Sequence, residues 1–71
     1  MNKMLRLEES ITELGVGEFL FIGSGYEIEE MQNILLFLKN LETKQILQIV
    51  YQHIEWETGK HLTDIIKIQK C

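Results

Sequence analysis

Proline is absent from the 71 residues, and cysteine occurs once, at Cys71. One thiol excludes an internal disulfide framework. A reducing compartment is expected, with no structural role for the thiol. The lack of proline, beside an apolar share of 45%, argues against a disordered chain. No apolar run approaches the ~18 residues that a membrane span needs. The stretch Met1 to Ser10 turns acidic at Glu8, too early for a signal peptide. These absences lead to the expectation of a cytoplasmic protein without a membrane partner.

Basic residues are also scarce. Seven stand against eleven acids, for a net charge of −4. The acids concentrate in residues 1–43, where only Lys3, Arg6 and Lys39 oppose Glu8, Glu9, Glu13, Glu18, Glu27, Glu29, Glu30 and Glu42. No basic stripe exists to follow a phosphate backbone, which argues against nucleic acid. The acidic half favours basic partners or is a solvated face that keeps the chain soluble. A chain of this length reads as one domain, 1–71, and buries about 60–65% of its unfolded surface. Its core is marginal unless a partner, a second copy or a metal adds to it.

The apolar residues that are present sort into five elements. Met4, Leu7, Ile11 and Leu14 are spaced as one helix face, which predicts an amphipathic helix over 3–14 stopped at Gly15. An extended N-terminus through Met4 to Leu7 is the alternative. Phe19-Leu20-Phe21-Ile22, framed by Gly17 and Gly23, reads as a strand buried on both faces. The Gly23-Ser24-Gly25 turn then enters a helix running to Leu41. Ser24 and Glu27 match a capping box, and Asn40 suits a left-handed C-terminal position. Strand, glycine turn and helix together have the outline of a phosphate loop. The glycine spacing and the Gly-Lys-Ser/Thr ending are absent, however, and Glu27, Glu29 and Glu30 would repel an anion. Ile28, Met31, Leu35 and Leu38 form the core stripe of this helix, with Ile34, Leu36 and Phe37 beside or opposite it. Such a helix needs cover on two sides.

Residues 45–57 are rich in β-branched and aromatic side chains, and Glu57-Thr58-Gly59-Lys60 is a turn signal with Gly59 left-handed. Pairing Trp56 with Lys60 sets Ile54 opposite Leu62, Gln52 opposite Asp64 and Val50 opposite Ile66. This register gathers Ile46, Val50, Ile54, Trp56, Leu62, Ile66 and Ile68 on one face, with Trp56 closing the end of the core. Leu47, Ile49, Tyr51 and Ile65 fall on the other. A helix over Thr43 to Ile54 is the competing reading and would give a winged-helix arrangement. Lys44 is its only basic residue, which is little for a DNA-recognition helix.

The expected fold class is therefore α+β. Its order is α-β-α-β-β, with a three-stranded sheet, helices packed on one face and a C-terminal β-hairpin. The first two strands run parallel if both join one sheet through a crossover. His53, Glu55 and His61 approach one another on the hairpin and are the candidate metal or acid–base set, short of a fourth ligand unless Cys71 folds back. No nucleophile–base–orienter set is visible, so neither enzyme activity, cofactor nor small-molecule substrate is expected. The surplus apolar surface, Leu47, Ile49, Tyr51 and Ile65 on the sheet and Ile34 and Phe37 on the helix, is the candidate protein interface. The functional expectation is a small acidic regulatory protein, of inhibitor, antitoxin-like or phage or bacterial accessory type. It would act by binding a protein partner or itself as a homodimer. A winged-helix DNA-binding regulator is the alternative.

Overall fold

The computed structural model describes residues 3–23 and 25–71. The chain is of the α+β class. It runs through helix α1 (Lys3–Glu13), strand β1 (Phe19–Ile22), helix α2 (Ile28–Thr43), strand β2 (Leu47–Ile54) and strand β3 (Thr63–Lys70). Leu7 and Ile11, one turn apart, are the buried residues of α1. The Lys70 ammonium donates to the carbonyls of Ile11 (2.8 Å) and Leu14 (3.5 Å) where α1 ends. It adds a donor at the helix end, where the Ile11 carbonyl also accepts the Leu14 amide at 3.2 Å, and puts a cation at the negative end of the dipole.

Helix α2 starts at a different cap from the predicted one. Ser24 lies outside the described residues, and the N-cap is Glu27, which forms a capping box with Glu30. The Glu27 amide donates to the Glu30 carboxylate at 2.9 Å. That hydrogen bond is the main reason the Glu30 carboxyl titrates below its ordinary 4.5, with the nearby Lys3 ammonium adding to the effect. At the other end, Asn40 lies inside the helix, and Gln45 takes the left-handed conformation instead (φ 63°). The amides of Ile46 and Gln45 donate back to the carbonyls of Leu41 and Glu42, at 3.1 and 3.0 Å. Together these bonds close a Schellman motif.

Met31, Ile34 and Leu38 carry the buried line of α2 and join Leu7, Ile11, Ile22, Leu47, Ile66 and Ile68 in one core. Ile34, expected beside the stripe, is part of its centre, while Leu35 and Phe37 pack on its margin. The difference has a simple cause. Helix α1 brings Leu7 and Ile11 to the flank of α2 that would otherwise be bare, and Lys3 pairs with Glu30 at 3.3 Å.

The sheet order is β1-β3-β2, with both pairs antiparallel. β1 and β2 thus run in the same direction with β3 between them. Residues Thr43 to Ile54, helical in the competing reading, contain strand β2, so the winged-helix arrangement is not formed. β1 is not buried on both faces as expected. Ile22 is buried and Leu20 packs against the core, while Phe19 and Phe21 are exposed, because the core lies against one face of the sheet only. Gly23 follows it where a Cβ would stand 2.9 Å from the Asp64 carbonyl oxygen, so the close pass of β1 by β3 requires a residue without a side chain.

The β2–β3 register also differs from the predicted one. Ile49 lies opposite Ile68, Tyr51 opposite Lys67 and Gln52 opposite Ile66, with a bulge between Ile49 and Tyr51. A one-residue slip exchanges the faces of a strand, and a bulge exchanges them again. Leu47 and Ile49 consequently face the core and Tyr51 the opposite side. Gly59 is left-handed as expected (φ 75°), but the strands stop at Ile54 and Thr63, and Trp56 and Lys60 do not pair. The loop 55–62 closes instead through the Glu55 amide and the Leu62 carbonyl at 2.8 Å.

Candidate interaction surface

On the side of the sheet away from Ile22, Ile66 and Ile68, the pairing aligns Phe21, Lys67 and Tyr51 in one row across β1, β3 and β2. Phe19 and Ile65 flank the row along their strands. Phe19 and Phe21 are 51% and 64% exposed, Tyr51 48% and Ile65 39%. Two phenylalanine rings, a tyrosine and Ile65 thus gather exposed apolar surface on one sheet face, with Lys67 between Phe21 and Tyr51. The Lys67 ammonium lies 4.4 Å from the Phe19 ring centre and 5.1 Å from that of Phe21. Both distances suit a cation–π contact. The lysine is thereby folded onto the patch, and its aliphatic stem adds to it.

Of the six residues expected at an interface, the structure brings two to this face, Tyr51 and Ile65. Leu47, 1% exposed, and Ile34 are core residues, and Ile49 packs against the core. Phe37 borders a shallow cavity of about 360 Å³ between the two helices, with Ile11, Leu41 and Ile46. The face assignment of Leu47 and Ile49 fails because the register slips and β2 bulges, and that of Ile34 because α1 covers it. Phe19 and Phe21 were missed. The one signal for them was the alternation of aromatic and aliphatic residues within Phe-Leu-Phe-Ile, which suits a strand with two unlike faces.

The β2 edge is occupied from within. The Ile49 amide donates to the Glu42 carboxylate of α2 at 2.9 Å. A side chain there obstructs strand addition along β2.

The histidine set is drawn apart. His53 Nδ1 lies 2.7 Å from Asp64 Oδ1, and the His61 ring packs edge-on against Trp56 with centroids 4.4 Å apart. Glu55 accepts the Thr58 hydroxyl. Cys71 follows the far end of β3 and donates its amide to Ile46, about 25 Å along the strand from the loop. Among the described residues no three His, Cys, Asp or Glu side chains converge as metal ligands. Trp56 does not close the core, since it is 73% exposed. No helix of the described residues is long and apolar enough to cross a membrane. Comparison with protein-family models, curated protein sequences and solved structures finds no match for the chain.

Proposed function

We propose that the chain is a small acidic, non-enzymatic interaction protein of regulatory type. In this reading its two helices pack on one face of the sheet. It docks through the other face, and the partner is a second copy of the chain. The observation that carries the reading is the exposed row Phe21–Lys67–Tyr51 with Phe19 and Ile65 beside it.

Charge argues for the second copy. Two chains of net charge −4 repel, and the acids lie mainly on the helices and loops: among the strands only Asp64 is acidic. Pairing face to face sets two sheets about 10 Å apart and the helix layers about 30 Å apart. That separation exceeds the ~8 Å screening length at physiological salt, so association keeps the acidic layers apart and brings only the Lys67 of each copy into the interface. The face itself, two strands of eight residues beside one of four, measures at most roughly 15 by 27 Å. This is smaller than the ~800 Å² per partner of a standard interface, and the dimer is accordingly expected to be reversible. Phe19, Phe21 and Tyr51 have the chemistry to stack bases as well, but a nucleic-acid strand requires a basic track. On the strands Lys67 is the only lysine besides Lys70, whose ammonium is engaged with α1.

Light scattering from about 5 to 200 μM under reducing conditions, which prevent disulfides through the exposed Cys71, tests the reading. A concentration-dependent dimer is expected, abolished by Phe21→Glu and by Tyr51→Glu. A parent that remains monomeric throughout, or a dimer unaffected by both substitutions, overturns it.

A further inference from the structure

Glu55 is the one acidic residue of the described chain with so little exposure, 8%, and it stands next to Trp56, 73% exposed. Its Oε1 accepts the Thr58 hydroxyl, while Oε2 is buried and has no hydrogen-bond partner among the described residues. An unpaired buried carboxylate oxygen is among the costlier features a small domain can carry. Glu55 lines a cavity of about 460 Å³ together with His53, Trp56, Glu57 and Asp64. Three carboxylates therefore border the cavity, and no lysine or arginine does. His53 is held by Asp64.

A cation fits this charge pattern, and the geometry narrows its kind. The acidic groups do not converge as a three-ligand metal set, which disfavours a compact ion. A planar cation with donors on several edges can reach acceptors that are spread apart. The indole of Trp56, in a T-shaped contact with His61, offers such a plane a stacking wall. We propose that this cavity binds a guanidinium group, with Glu55 Oε2 as its principal acceptor and Trp56 as the face it stacks on. An arginine side chain of a bound protein is one source of that group and a small free guanidinium compound is the other. The ligand reaches Oε2 by turning aside the Thr58 hydroxyl or the exposed indole, and it supplies the donor that the carboxylate lacks. The site rests on Glu55 and Trp56 of the loop 55–62 and not on the row Phe21–Lys67–Tyr51, although His53 on its wall pairs opposite Ile65.

Trp56 is the only tryptophan, so its fluorescence reports on this cavity alone. The probes are N-acetylarginine N-methylamide, methylguanidinium chloride and, as the neutral isostere, the citrulline N-methylamide, all at constant ionic strength. Two charge-assisted hydrogen bonds and a stacking contact, less the cost of immobilising a free ligand, suggest a Kd of about 1 mM. Saturable change with the arginine probe is expected, with at least tenfold weaker response to the citrulline probe and to the Glu55→Gln variant. Tighter binding of the arginine probe than of methylguanidinium identifies a side-chain site. Equal binding supports a guanidinium site filled by a small cation. A non-saturating response, an equal response to the citrulline probe, or unchanged binding by a folded Glu55→Gln variant overturns the proposal. Should that variant not fold, amide NMR of the parent decides. Arginine-dependent shifts confined to residues 53–64 support the site, and their absence overturns it. Light scattering is unaffected by any of these outcomes, so failure here is distinguishable from failure of the dimer.

Discussion

Gln32 of α2 and Thr63 of β3 hold one another through the backbone. The Gln32 side-chain amide donates to the Thr63 carbonyl at 2.7 Å, and the Thr63 amide donates to Gln32 Oε1 at 3.4 Å. Thr63 is buried where β3 begins, so no neighbouring strand residue or bulk water is needed to satisfy it. The same Gln32 amide also donates to the Ile28 carbonyl at 2.9 Å, which ties the first turn of the helix to the sheet. Gln32→Leu is of similar bulk but leaves both Thr63 groups unpaired. A loss of about 2–3 kcal/mol is expected in urea unfolding. Gln32→Glu keeps the acceptor and loses the donor, and should fall between parent and leucine variant.

Gln45 occupies a left-handed position that a side chain resists (φ 63°). Gln45→Gly removes the strain of about 1–2 kcal/mol and gives back part of it as unfolded-chain entropy. The net expectation is a gain of about 0.5–1 kcal/mol, read as a higher urea midpoint with an unchanged slope. Gln45→Val should be destabilising.

The two glycines Gly23 and Gly59 should fail for different reasons. At Gly23 a methyl group would meet the Asp64 carbonyl at 2.9 Å and the Ile65 side chain at 3.3 Å. Gly23→Ala is expected to cost on the order of 1–3 kcal/mol by forcing β1 away from β3. Gly59 has open space around it but a positive φ of 75°. Gly59→Val should cost about 1–2 kcal/mol, and Gly59→Asn, which tolerates that conformation, distinctly less.

Acid should weaken the α2 cap. The folded Glu30 carboxyl titrates below its ordinary 4.5, chiefly through the Glu27 amide. A group depressed in this way stabilises the fold above its unfolded pKa, and the contribution disappears as pH falls through the folded value. Stability is therefore expected to decline below about pH 4.5 more steeply in the parent than in Glu30→Gln. Chemical denaturation at pH 6 and at pH 3 measures the difference. Equal pH dependence in both proteins would remove Glu30 from the cap.

Local signals carried far in this chain. The spacing Met4, Leu7, Ile11 places a helix at 3–13 with little help from elsewhere. Gly59 announces its turn because few other residues accept that backbone. The strand character of residues 47–54 was likewise present in their β-branched and aromatic content. Of the open face, Tyr51 and Ile65 were legible as apolar residues in strands with more hydrophobic groups than one face holds.

What lay beyond the sequence was which side each residue takes. The bulge beyond Ile49 goes with contacts from another element, the Schellman turn at Gln45 and the Glu42 carboxylate on the Ile49 amide. No pattern within 45–57 records those contacts, yet the bulge turns Leu47 and Ile49 inward and Tyr51 outward. Phe19 and Phe21 depend on something still less local. A run of four apolar residues is compatible with cover on both faces or on one, and the core covers one face only, leaving Ile65 of central β3 exposed as well. Composition and spacing determined that this chain forms helices, strands and a hairpin, because those choices are made by backbone conformation and neighbours a few residues away. Strand order, register and the covered side were decided by tertiary packing, because each depends on contacts between residues dozens of positions apart.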